Sequence, residues 1–375
     1  IDTAKKTLLE ERVSAMPVID KGRIKGAITM RAINKAVKRG FGHSRVKGYM
    51  SFAVTRVRHD APLASVQKAA LEMDTGIILV TLGRKDIGVI NRTDILRSLY
   101  KGLFAGPKAV SKRVVVNMSG RMNALLPKNI IELLVRIGAL AKSSGYSAFV
   151  VGGLVRDLVM GVKNLDLDIV IEGDAIGIAR ALSHELGAAL IVHKRFGTAT
   201  VVTKERLKID LATARKELYE RPAALPTVEF SSLKDDLVRR DFTINAMAVS
   251  INSGNFGQLI DFFGGQADLA SGRIAVMHDG SFIDDPTRIF RAVRFEQRFG
   301  FTIDPHTEEL IQNAVDEEMF GRVEPQRIRD EAVLILKEEE PIRALRRMSD
   351  LHELRFIHPK IGPGREIERL FAGIA

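Results

Sequence analysis

The segment "FVVGGLVRDLVMGVKNLDLDIVIEGDA" (Phe149–Ala175) combines a Gly-Gly turn with two aspartates in an apolar run. Its pattern predicts a strand, a turn, a helix and a second strand in succession. Side chains at positions i and i+2 of a strand point to the same face, so we expect Asp166 and Asp168 to share a face. The apolar neighbours expected to pack on the other face are Leu165, Leu167 and Ile169.

The two aspartates are candidate metal ligands. Carboxylates held side by side repel each other, which raises the pKa of one of them. A divalent cation removes this repulsion, and Mg²⁺ suits oxygen ligands because it needs few from the protein and completes its shell with water and phosphate. Two such ions can activate a hydroxyl group and stabilise a leaving pyrophosphate. We therefore expect Asp166 and Asp168 to bind Mg²⁺, and the alternative is an exposed polar strand edge.

The Gly-Gly turn upstream is a candidate phosphate site. Gly152 and Gly153 would let a phosphate approach the backbone, and the N-terminus of the following helix favours anions. Arg156 can add a charge-assisted contact, and Asp157 can cap or brace the turn.

A third carboxylate is expected at Asp210, in the short alternating segment "LKIDLAT". If this segment forms a strand next to the first, Asp210 completes a catalytic triad with the two aspartates. The alternative is a structural aspartate near the sheet edge.

Further motifs follow in order along the chain. They are "RRDFTINAMA" (Arg239–Ala248), "DFFGGQADLASGRI" (Asp261–Ile274), "DDPTRIFRAVRF" (Asp284–Phe295) and "GRVEPQRIRDE" (Gly321–Glu331). Together with GGLVRD and LDLDI, these motifs resemble the class II tRNA nucleotidyltransferases and bacterial poly(A) polymerases, within the polymerase-β-like superfamily. The resemblance covers about residues 126–340. It implies an α/β nucleotidyltransferase head with a mixed sheet, followed by an all-α neck.

Asp285 and Arg288 resemble the family's base-selecting pair. We expect them at positions i and i+3 of one helix, and therefore adjacent. The carboxylate accepts from an exocyclic amino group, and the guanidinium donates to the neighbouring ring nitrogen. Adenine and cytosine offer this pattern, whereas guanine and uracil would leave both protein groups unpaired. Asp284 stands where the family usually has Glu, and we expect little effect on base recognition.

The resemblance implies roles for other polar residues of these motifs. Arg240 would contact the triphosphate or ribose, and Asp241 and Asn245 would shape that pocket. Arg291 and Arg294 would contact the nucleotide or the RNA end. The alternative for these two arginines is a helical face that is solvated or paired with acidic residues.

Two similar segments precede the head, "MPVIDKGRIKGAITMRAINKAV" (Met16–Val37) and "GIILVTLGRKDIGVINRTDILRSL" (Gly76–Leu99). Each predicts strand, glycine turn, strand and helix. They resemble a pair of CBS modules, which often bind adenosine nucleotides. The first copy lacks its front half and the chain starts at Ile1, so we expect an N-terminal truncation. A C-terminal region beyond the neck is expected to be missing as well.

Nucleotide binding by the CBS pair is not expected. Such modules usually carry a Thr and an Asp three residues apart, whereas here Thr29 stands with Ala32 and Asn91 with Asp94. A structural, dimerising or RNA-contacting role is favoured, with a homo-oligomer formed through the CBS pair. The predicted regions are an α/β CBS pair at 1–105, a linker at 106–125, the head at 126–270 and a helical neck with the start of a body at 271–375.

The charge of the chain is unevenly distributed. The net charge is +11, yet residues 1–112 carry 22 Lys and Arg against 9 Asp and Glu, which gives +13. This excess indicates either a polyanionic partner such as RNA or a basic surface that confers solubility. No apolar run is long enough to span a membrane, and no signal peptide opens the sequence. The absence of cysteine fits a cytoplasmic protein.

The loop after Asp210 contains "YERPAALP", which resembles the A-adding branch of the family. A CBS pair ahead of the head also resembles that branch. The prediction is therefore Mg²⁺-dependent transfer of AMP from ATP to the 3′ end of tRNA ending in CC, with release of pyrophosphate. CCA addition, CC addition and poly(A) synthesis are alternatives. A non-catalytic, adenylate-sensing RNA-binding regulator is an alternative of a different class, but the DxD motif is intact and the CBS motif is not.

Overall fold

The computed structural model describes residues 1–62 except 12 and 14, residues 65, 66 and 69, residues 77–91 except 84, and residues 116–218 and 227–351. Its α-helices are α1 (Asp2–Glu10), α2 (Met30–Lys38), α3 (Ser119–Leu125), α4 (Lys128–Ser143), α5 (Gly153–Met160), α6 (Ala175–Leu186), α7 (Leu233–Val238), α8 (Gly265–Ala270), α9 (Ser281–Asp284), α10 (Arg288–Phe299), α11 (Pro305–Asp316), α12 (Pro325–Leu336) and α13 (Pro341–Asp350).

The strands within the same residues are β1 (Ala15–Asp20), β2 (Arg23–Thr29), β3 (Arg56–Arg58), β4 (Ile77–Leu82), β5 (Lys85–Asn91), β6 (Ser147–Val151), β7 (Leu167–Glu172), β8 (Ala189–His193), β9 (Thr198–Val202), β10 (Lys208–Thr213), β11 (Arg215–Leu218), β12 (Thr227–Phe230), β13 (Met247–Ser250), β14 (Leu259–Asp261), β15 (Arg273–Ile274) and β16 (Thr302–Ile303). None of the helices in the described parts of the chain is both long enough and apolar enough to cross a bilayer.

The described residues form two compact units. The first contains those up to residue 91 and those from His278 onward, and the second contains residues 116–218 and 227–277. The boundary at His278 falls a few residues beyond the predicted end of the head at 270. Residues 119–125, which composition assigned to the linker, form α3, and this helix packs against α4 and α5.

The second unit is built on a seven-stranded sheet with the order β14-β13-β6-β7-β10-β9-β8. β7 and β10 are parallel, and the other neighbours are antiparallel, so the predicted mixed sheet is confirmed. β7 has buried residues on both faces, as expected for a central strand that is almost continuously apolar. The core beside α7 includes Phe149, Val151, Val170, Leu237, Ala248 and Met277.

The helix α4 precedes the first central strand of this sheet. Its apolar residues recur at helical spacing, and Ile130, Leu134 and Ile137 are buried. It ends just before Gly145, which adopts φ +76°, a left-handed conformation that glycine reaches at low cost. This stop returns the chain into β6, which leads directly to the Gly-Gly turn.

The first unit contains the CBS-like residues. β1 and β2 form an antiparallel hairpin followed by α2, whose N-cap Thr29 accepts a hydrogen bond from the Ala32 backbone at 3.1 Å. The predicted strand, turn, strand and helix of the first copy are therefore confirmed. In the second copy β4 and β5 form the expected hairpin. The helix predicted after it, with Asp94 and the Asn91 side chain, lies outside the described residues.

The neck in the same unit is helical, as predicted. α10 packs against α12 and α13, and α9 packs against α11. Phe290 of α10 contacts Phe320 with ring centroids 5.0 Å apart, and both residues are fully buried. These contacts fix the position of α10, which carries the arginines of the base-selecting motif.

Candidate active site

Three aspartates belong to the candidate metal site of the second unit. Asp168 lies on β7, and Asp210 lies opposite it on the parallel neighbour β10. Residues paired across two strands point to the same face, so the two carboxylates share one side of the sheet. The Thr200 hydroxyl of β9 donates to Asp210 Oδ1. The structure thus places Asp210 on the strand next to Asp168, as a triad requires.

The segment just before β7 differs from the prediction. β7 begins at Leu167, so Asp166 precedes the strand, and its backbone donates to Asn164 Oδ1 at 2.8 Å. Leu167 and Ile169 are buried as expected, but Leu165 is 48% exposed. The expectation that Leu165 packs in the core was wrong, because the strand alternation starts two residues later than its sequence pattern suggests.

The electrostatics of Asp168 follow from these neighbours. Burial raises the pKa of Asp168 to about 6, with further increases from the charges of Asp166 and Asp210 and an opposing effect of Arg240. A carboxylate with this pKa is destabilised in its charged form by its surroundings. A cation bound beside it would relieve the repulsion.

The donor set fits Mg²⁺ in chemistry. No group of three or more His, Asp or Glu among the described residues is arranged to hold a metal ion by itself. Mg²⁺ is usually bound through one or two carboxylates together with water and substrate phosphates, so a complete protein cage is not required. Asp166 and Asp168 are the residues that would hold it, and their assignment as metal ligands stays a prediction.

The Gly-Gly turn lies beside these carboxylates. Gly152 adopts φ +71°, and a Cβ atom there would lie 3.0 Å from Arg240 Nη1 and 3.6 Å from Asp168 Oδ2. The positive φ favours glycine here, and the close approach of the Arg240 guanidinium leaves little room for a side chain. Gly153 begins α5, so the first turn of this helix starts where Arg240 and Asp168 converge. Free backbone N–H groups at a helix N-terminus favour an anion such as phosphate.

Arg156 occupies a buried network behind this turn. It is 6% exposed, and its guanidinium donates to Asp157 Oδ1 at 2.8 Å and to Asn245 Oδ1 at 2.9 Å. Asn245 in turn donates to Asp241 Oδ1 at 3.0 Å, and Asn164 donates to Asp157 Oδ2 at 2.7 Å. The network ties α5 to the motif Arg239–Ala248. It favours a bracing role for Arg156, whereas direct phosphate contact by Arg156 stays a prediction.

Arg240 is anchored by a residue that sequence reasoning missed. Asp236 is fully buried and accepts from Arg240 Nη2 at 3.1 Å and from Arg239 Nη2 at 2.7 Å. Burial would raise the pKa of Asp236, but the charges of Arg240 and Arg239 lower it overall. The spacing i, i+3 and i, i+4 from Asp236 was the signal that could have revealed this anchor. Arg240 Nε is buried without a hydrogen-bond partner among the described residues.

The base-selecting motif lies in the first unit and departs from its predicted geometry. Asp285 has an extended backbone, φ −143° and ψ 95°, and α10 begins only at Arg288. The expectation that both residues lie on one helix was wrong, because Pro286 restricts the residue before it to extended conformations. Asp285 Oδ1 accepts from the Thr287 hydroxyl at 2.6 Å, and Asp285 Oδ2 accepts from Arg327 Nη2 at 2.7 Å.

Arg288 and Arg327 hold this motif in place. Arg288 is buried, and its Nη1 donates to Ser281 Oγ at 2.8 Å. Arg327 belongs to the motif "GRVEPQRIRDE", but no role was predicted for it. A lone arginine in a charged helix offers no sequence signal that it pairs with an aspartate more than forty residues away.

The arginines further along α10 are paired with acids. Arg291 and Arg294 lie 3.6 and 3.8 Å from the carboxylate of Glu331, and Arg294 lies 3.6 Å from Glu338. Burial raises the pKa of Glu331 against the opposing charges of these arginines, and burial lowers the pKa of Arg294. The arrangement matches the alternative of acid pairing. Nucleotide or RNA contact by Arg291 and Arg294 stays a prediction.

Family models match three parts of the chain. Residues 148–275 match the poly A polymerase head domain, residues 300–363 match a probable RNA and SrmB-binding site of polymerase A, and residues 1–39 match a CBS domain. The chain therefore belongs to the family of tRNA nucleotidyltransferases and poly(A) polymerases that its motifs resemble.

Sequence relatives indicate which members of the family this chain resembles most. The chain is 43% identical over 371 residues to the A-adding tRNA nucleotidyltransferase of Geobacter sulfurreducens, a match that covers 96% of this chain and 42% of that protein. The chain thus spans less than half the length of this relative.

About two thirds of the chain is also similar to solved structures of CCA-adding enzymes. An apo form of a CCA-adding enzyme is 45% identical with a TM-score of 0.66, covering 69% of this chain and 62% of that one. The Thermotoga maritima CCA-adding enzyme complexed with tRNA is 41% identical with a TM-score of 0.63, covering 69% and 60%.

Proposed function

We propose that this chain transfers AMP from ATP to the 3′ end of a tRNA ending in CC, without a template and with release of pyrophosphate. The observation that carries nucleotidyl transfer is the pairing of Asp168 with Asp210 across parallel strands, with Asp166 close enough to raise the pKa of Asp168. The choice of adenosine rests on similarity to an A-adding relative along nearly the whole chain.

Different residues of the head have different roles in the proposed reaction. Backbone N–H groups after Gly152 and the guanidinium of Arg240 bind and orient the triphosphate. Mg²⁺ at Asp166 and Asp168 would supply Lewis-acid activation and neutralise charge on the phosphates. The RNA 3′-oxygen forms a bond to the α-phosphorus while the bond to the pyrophosphate oxygen breaks. Asp210, oriented by Thr200, is the proposed acceptor of the hydroxyl proton.

Base choice is assigned to Asp285 and Arg288. Asp285 accepts from the amino group of adenine, and its remaining lone pairs suffice because a carboxylate can accept about four hydrogen bonds. Arg288 donates to the adjacent ring nitrogen. Both groups accept adenine and cytosine, so exclusion of cytosine belongs to other residues. The segment "YERPAALP" suggested for that task lies outside the described residues.

The deciding experiment is an incorporation assay. The protein is incubated with Mg²⁺, each of the four nucleoside triphosphates, and tRNA ending in one C or in CC. A single AMP added to the CC end is expected. Robust CMP addition would instead identify a CC-adding or CCA-adding enzyme, and long A tails would identify a poly(A) polymerase.

The candidate of a different class is a non-catalytic, adenylate-sensing RNA-binding regulator. Equilibrium dialysis with AMP and ATP separates the two ideas when wild type is compared with variants of Thr29 and of Asp168. Nucleotide binding that depends on Thr29, together with no transfer activity, would favour the regulator.

The CBS region is proposed to contact the tRNA body, since the net charge of residues 1–112 is +13, from 22 basic and 9 acidic side chains. A homo-oligomer through the CBS pair and a cytoplasmic location, where tRNA is matured, complete the proposal.

A further inference from the structure

The first CBS module and the neck are joined by two ion pairs within the first unit. Lys5 Nζ of α1 lies 2.9 Å from Glu317 Oε2, and Lys38 Nζ of α2 lies 2.6 Å from Asp316 Oδ1. Both acids stand at the C-terminal end of α11, against which α2 packs directly. The side chain of Glu317 is only 4% exposed, so the Lys5 pair is largely removed from solvent.

A small pocket lies at the same junction. Its lining includes apolar residues from the module and from the neck: Leu9, Val13, Met30, Phe282, Ile283 and Leu310. Phe282 and Ile283 belong to α9, which directly precedes Asp285 in the chain. The CBS module therefore lines one pocket together with α9, the helix that leads into the base-selecting motif.

Side-chain contacts lead from this junction to the base-selecting pair. Within α11, His306 Nε2 lies 3.0 Å from Asp279 Oδ1, which ties the helix to the start of the segment. Ser281 of α9 accepts from Arg288 Nη1 at 2.8 Å. A shift of α11 or α9 would consequently move the Arg288 guanidinium, because these contacts are direct and packed groups move together.

We propose that docking of the CBS module on α11 through Lys5 and Glu317 positions the segment that carries Asp285 and Arg288. In this proposal the module is a positioning element for nucleotide selection, although it does not touch the nucleotide. The part that concerns selection rests on the proposed function. The part that concerns docking does not.

Replacing Lys5 is a direct way to disrupt the contact between the CBS module and α11. Among the described residues Glu317 Oε1 is buried without a hydrogen-bond partner, so compensation of this carboxylate depends on Lys5 at Oε2. Removing one member of a buried ion pair leaves the other uncompensated, which favours rearrangement around it. Lys6 is the matched control, since it is adjacent on α1, 77% exposed, and paired within its own helix with Glu10 at 3.7 Å.

The experiment compares the wild type with Lys5→Gln, Lys6→Gln, Glu317→Lys and the charge-swapped Lys5→Glu/Glu317→Lys. Hydrogen–deuterium exchange of the peptide covering residues 279–290 reports on docking, and incorporation from ATP against GTP reports on selection. Mutations that alter coupling between distant sites typically change it by about twofold to thirtyfold. Lys5→Gln and Glu317→Lys are expected to speed exchange and to lower ATP preference by about that factor. Lys6→Gln should match the wild type, and the swapped pair should recover both readouts in part.

The two readouts have separate consequences. Unchanged exchange in Lys5→Gln and Glu317→Lys would overturn the docking proposal. Faster exchange with unchanged ATP preference would overturn the positioning role. If the wild type incorporates no nucleotide, the proposed function fails, while the exchange data still decide whether the module is docked on α11.

Discussion

The buried charged groups of the head and of the neck have different neighbours, of like charge in the head and of opposite charge in the neck. In the head, burial and two neighbouring aspartates outweigh Arg240 and raise the pKa of Asp168 to about 6. In the neck, Arg291 and Arg294 face Glu331 within the same structural unit. Burial still raises the pKa of Glu331 and lowers that of Arg294, so the opposite charges in the neck offset burial only in part. The head differs because the charges of Asp166 and Asp210 add to the effect of burial on Asp168, and a bound cation would neutralise them. A cluster of charged side chains is therefore a better candidate for a catalytic or metal site when its neighbours carry the same charge and do not neutralise it.

The largest effect is expected from Asp168→Asn. Loss of this ligand should lower AMP transfer by about 10³-fold, because metal assistance is worth several kcal/mol and each 1.4 kcal/mol is tenfold in rate. Single-turnover transfer to tRNA ending in CC measures the effect. Asp166→Asn should behave similarly.

Asp174→Asn is the matched control in the head. Asp174 is an exposed N-cap that accepts from the Gly177 backbone at 3.0 Å, and asparagine serves equally well there. Near-normal transfer by Asp168→Asn would refute the metal site and, with it, the contrast between the two regions.

The next largest effect is expected from a substitution in the neck. Arg327→Ala removes the guanidinium that holds Asp285 Oδ2, so the carboxylate loses its orientation. Hydrogen bonds to charged groups contribute about 1.5–3 kcal/mol, so preference for ATP over GTP should fall by about tenfold or more. Competition between the two nucleotides measures this change.

Arg329→Ala controls for loss of a positive charge on α12, since Arg329 is exposed on the same helix. An equal loss of preference in both variants would show that Arg327 acts through general charge, and would contradict its role in holding Asp285.

A smaller effect is expected in the stability of the metal-free protein. The folded-state pKa of Asp168, about 6, lies above the value of about 3.9 for an unfolded aspartate. Its contribution to stability is therefore fully present below about pH 4 and is lost as the pH rises through 6. Asp168→Asn should be more stable than the wild type at pH 8 by about 1–2 kcal/mol, a figure reduced for partial solvent exposure, and equal to it near pH 4.

Urea unfolding in the presence of a chelator measures this difference, with Asp174→Asn expected to follow the wild type. A wild type that is more stable than Asp168→Asn at pH 8 would reverse the sign and show that the fold itself compensates Asp168. Added Mg²⁺ should stabilise the wild type and leave Asp168→Asn unchanged.

The smallest effect tests the basic N-terminal region. Lys21, Arg23 and Lys25 are exposed on the β1–β2 hairpin. Their replacement by Gln should reduce the slope of log affinity for tRNA against log salt by about one for each phosphate that is no longer neutralised. Deleting the whole region would be a poorer test, because Lys5 and Lys38 contact the neck.

The head offers a control with the same spacing of charges, Lys204, Arg206 and Lys208, all of them exposed. A smaller change in slope is expected from replacing these three by Gln. Equal changes from both triplets would show that the excess charge at the N-terminus has no special part in RNA binding.

Local patterns predicted much of this molecule. The alternation around Asp168 and Asp210 indicated two strands, and Gly152 marked a tight turn. Such features depend on neighbours in sequence. The start of β7 was misplaced at Leu165, because an alternating pattern continues beyond the residues that actually pair.

Partners distant in sequence could not be predicted. Arg327 contacts Asp285, and Arg156 joins Asn245 through a buried network, because folding brings separate segments together. No spacing rule links residues that meet only after several helices and strands have packed.

The sequence by itself determined the chemistry available to this protein: paired aspartates, a glycine turn, and an Asp and Arg suited to adenine or cytosine. Tertiary structure decided which charges remain uncompensated and which are held. Burial and the parallel alignment of β7 with β10 raise the pKa of Asp168, and neither property exists in an extended chain. The contact of Lys5 with Glu317 likewise depends on the packing of the first module against α11, since charge energies depend on distance and solvent access.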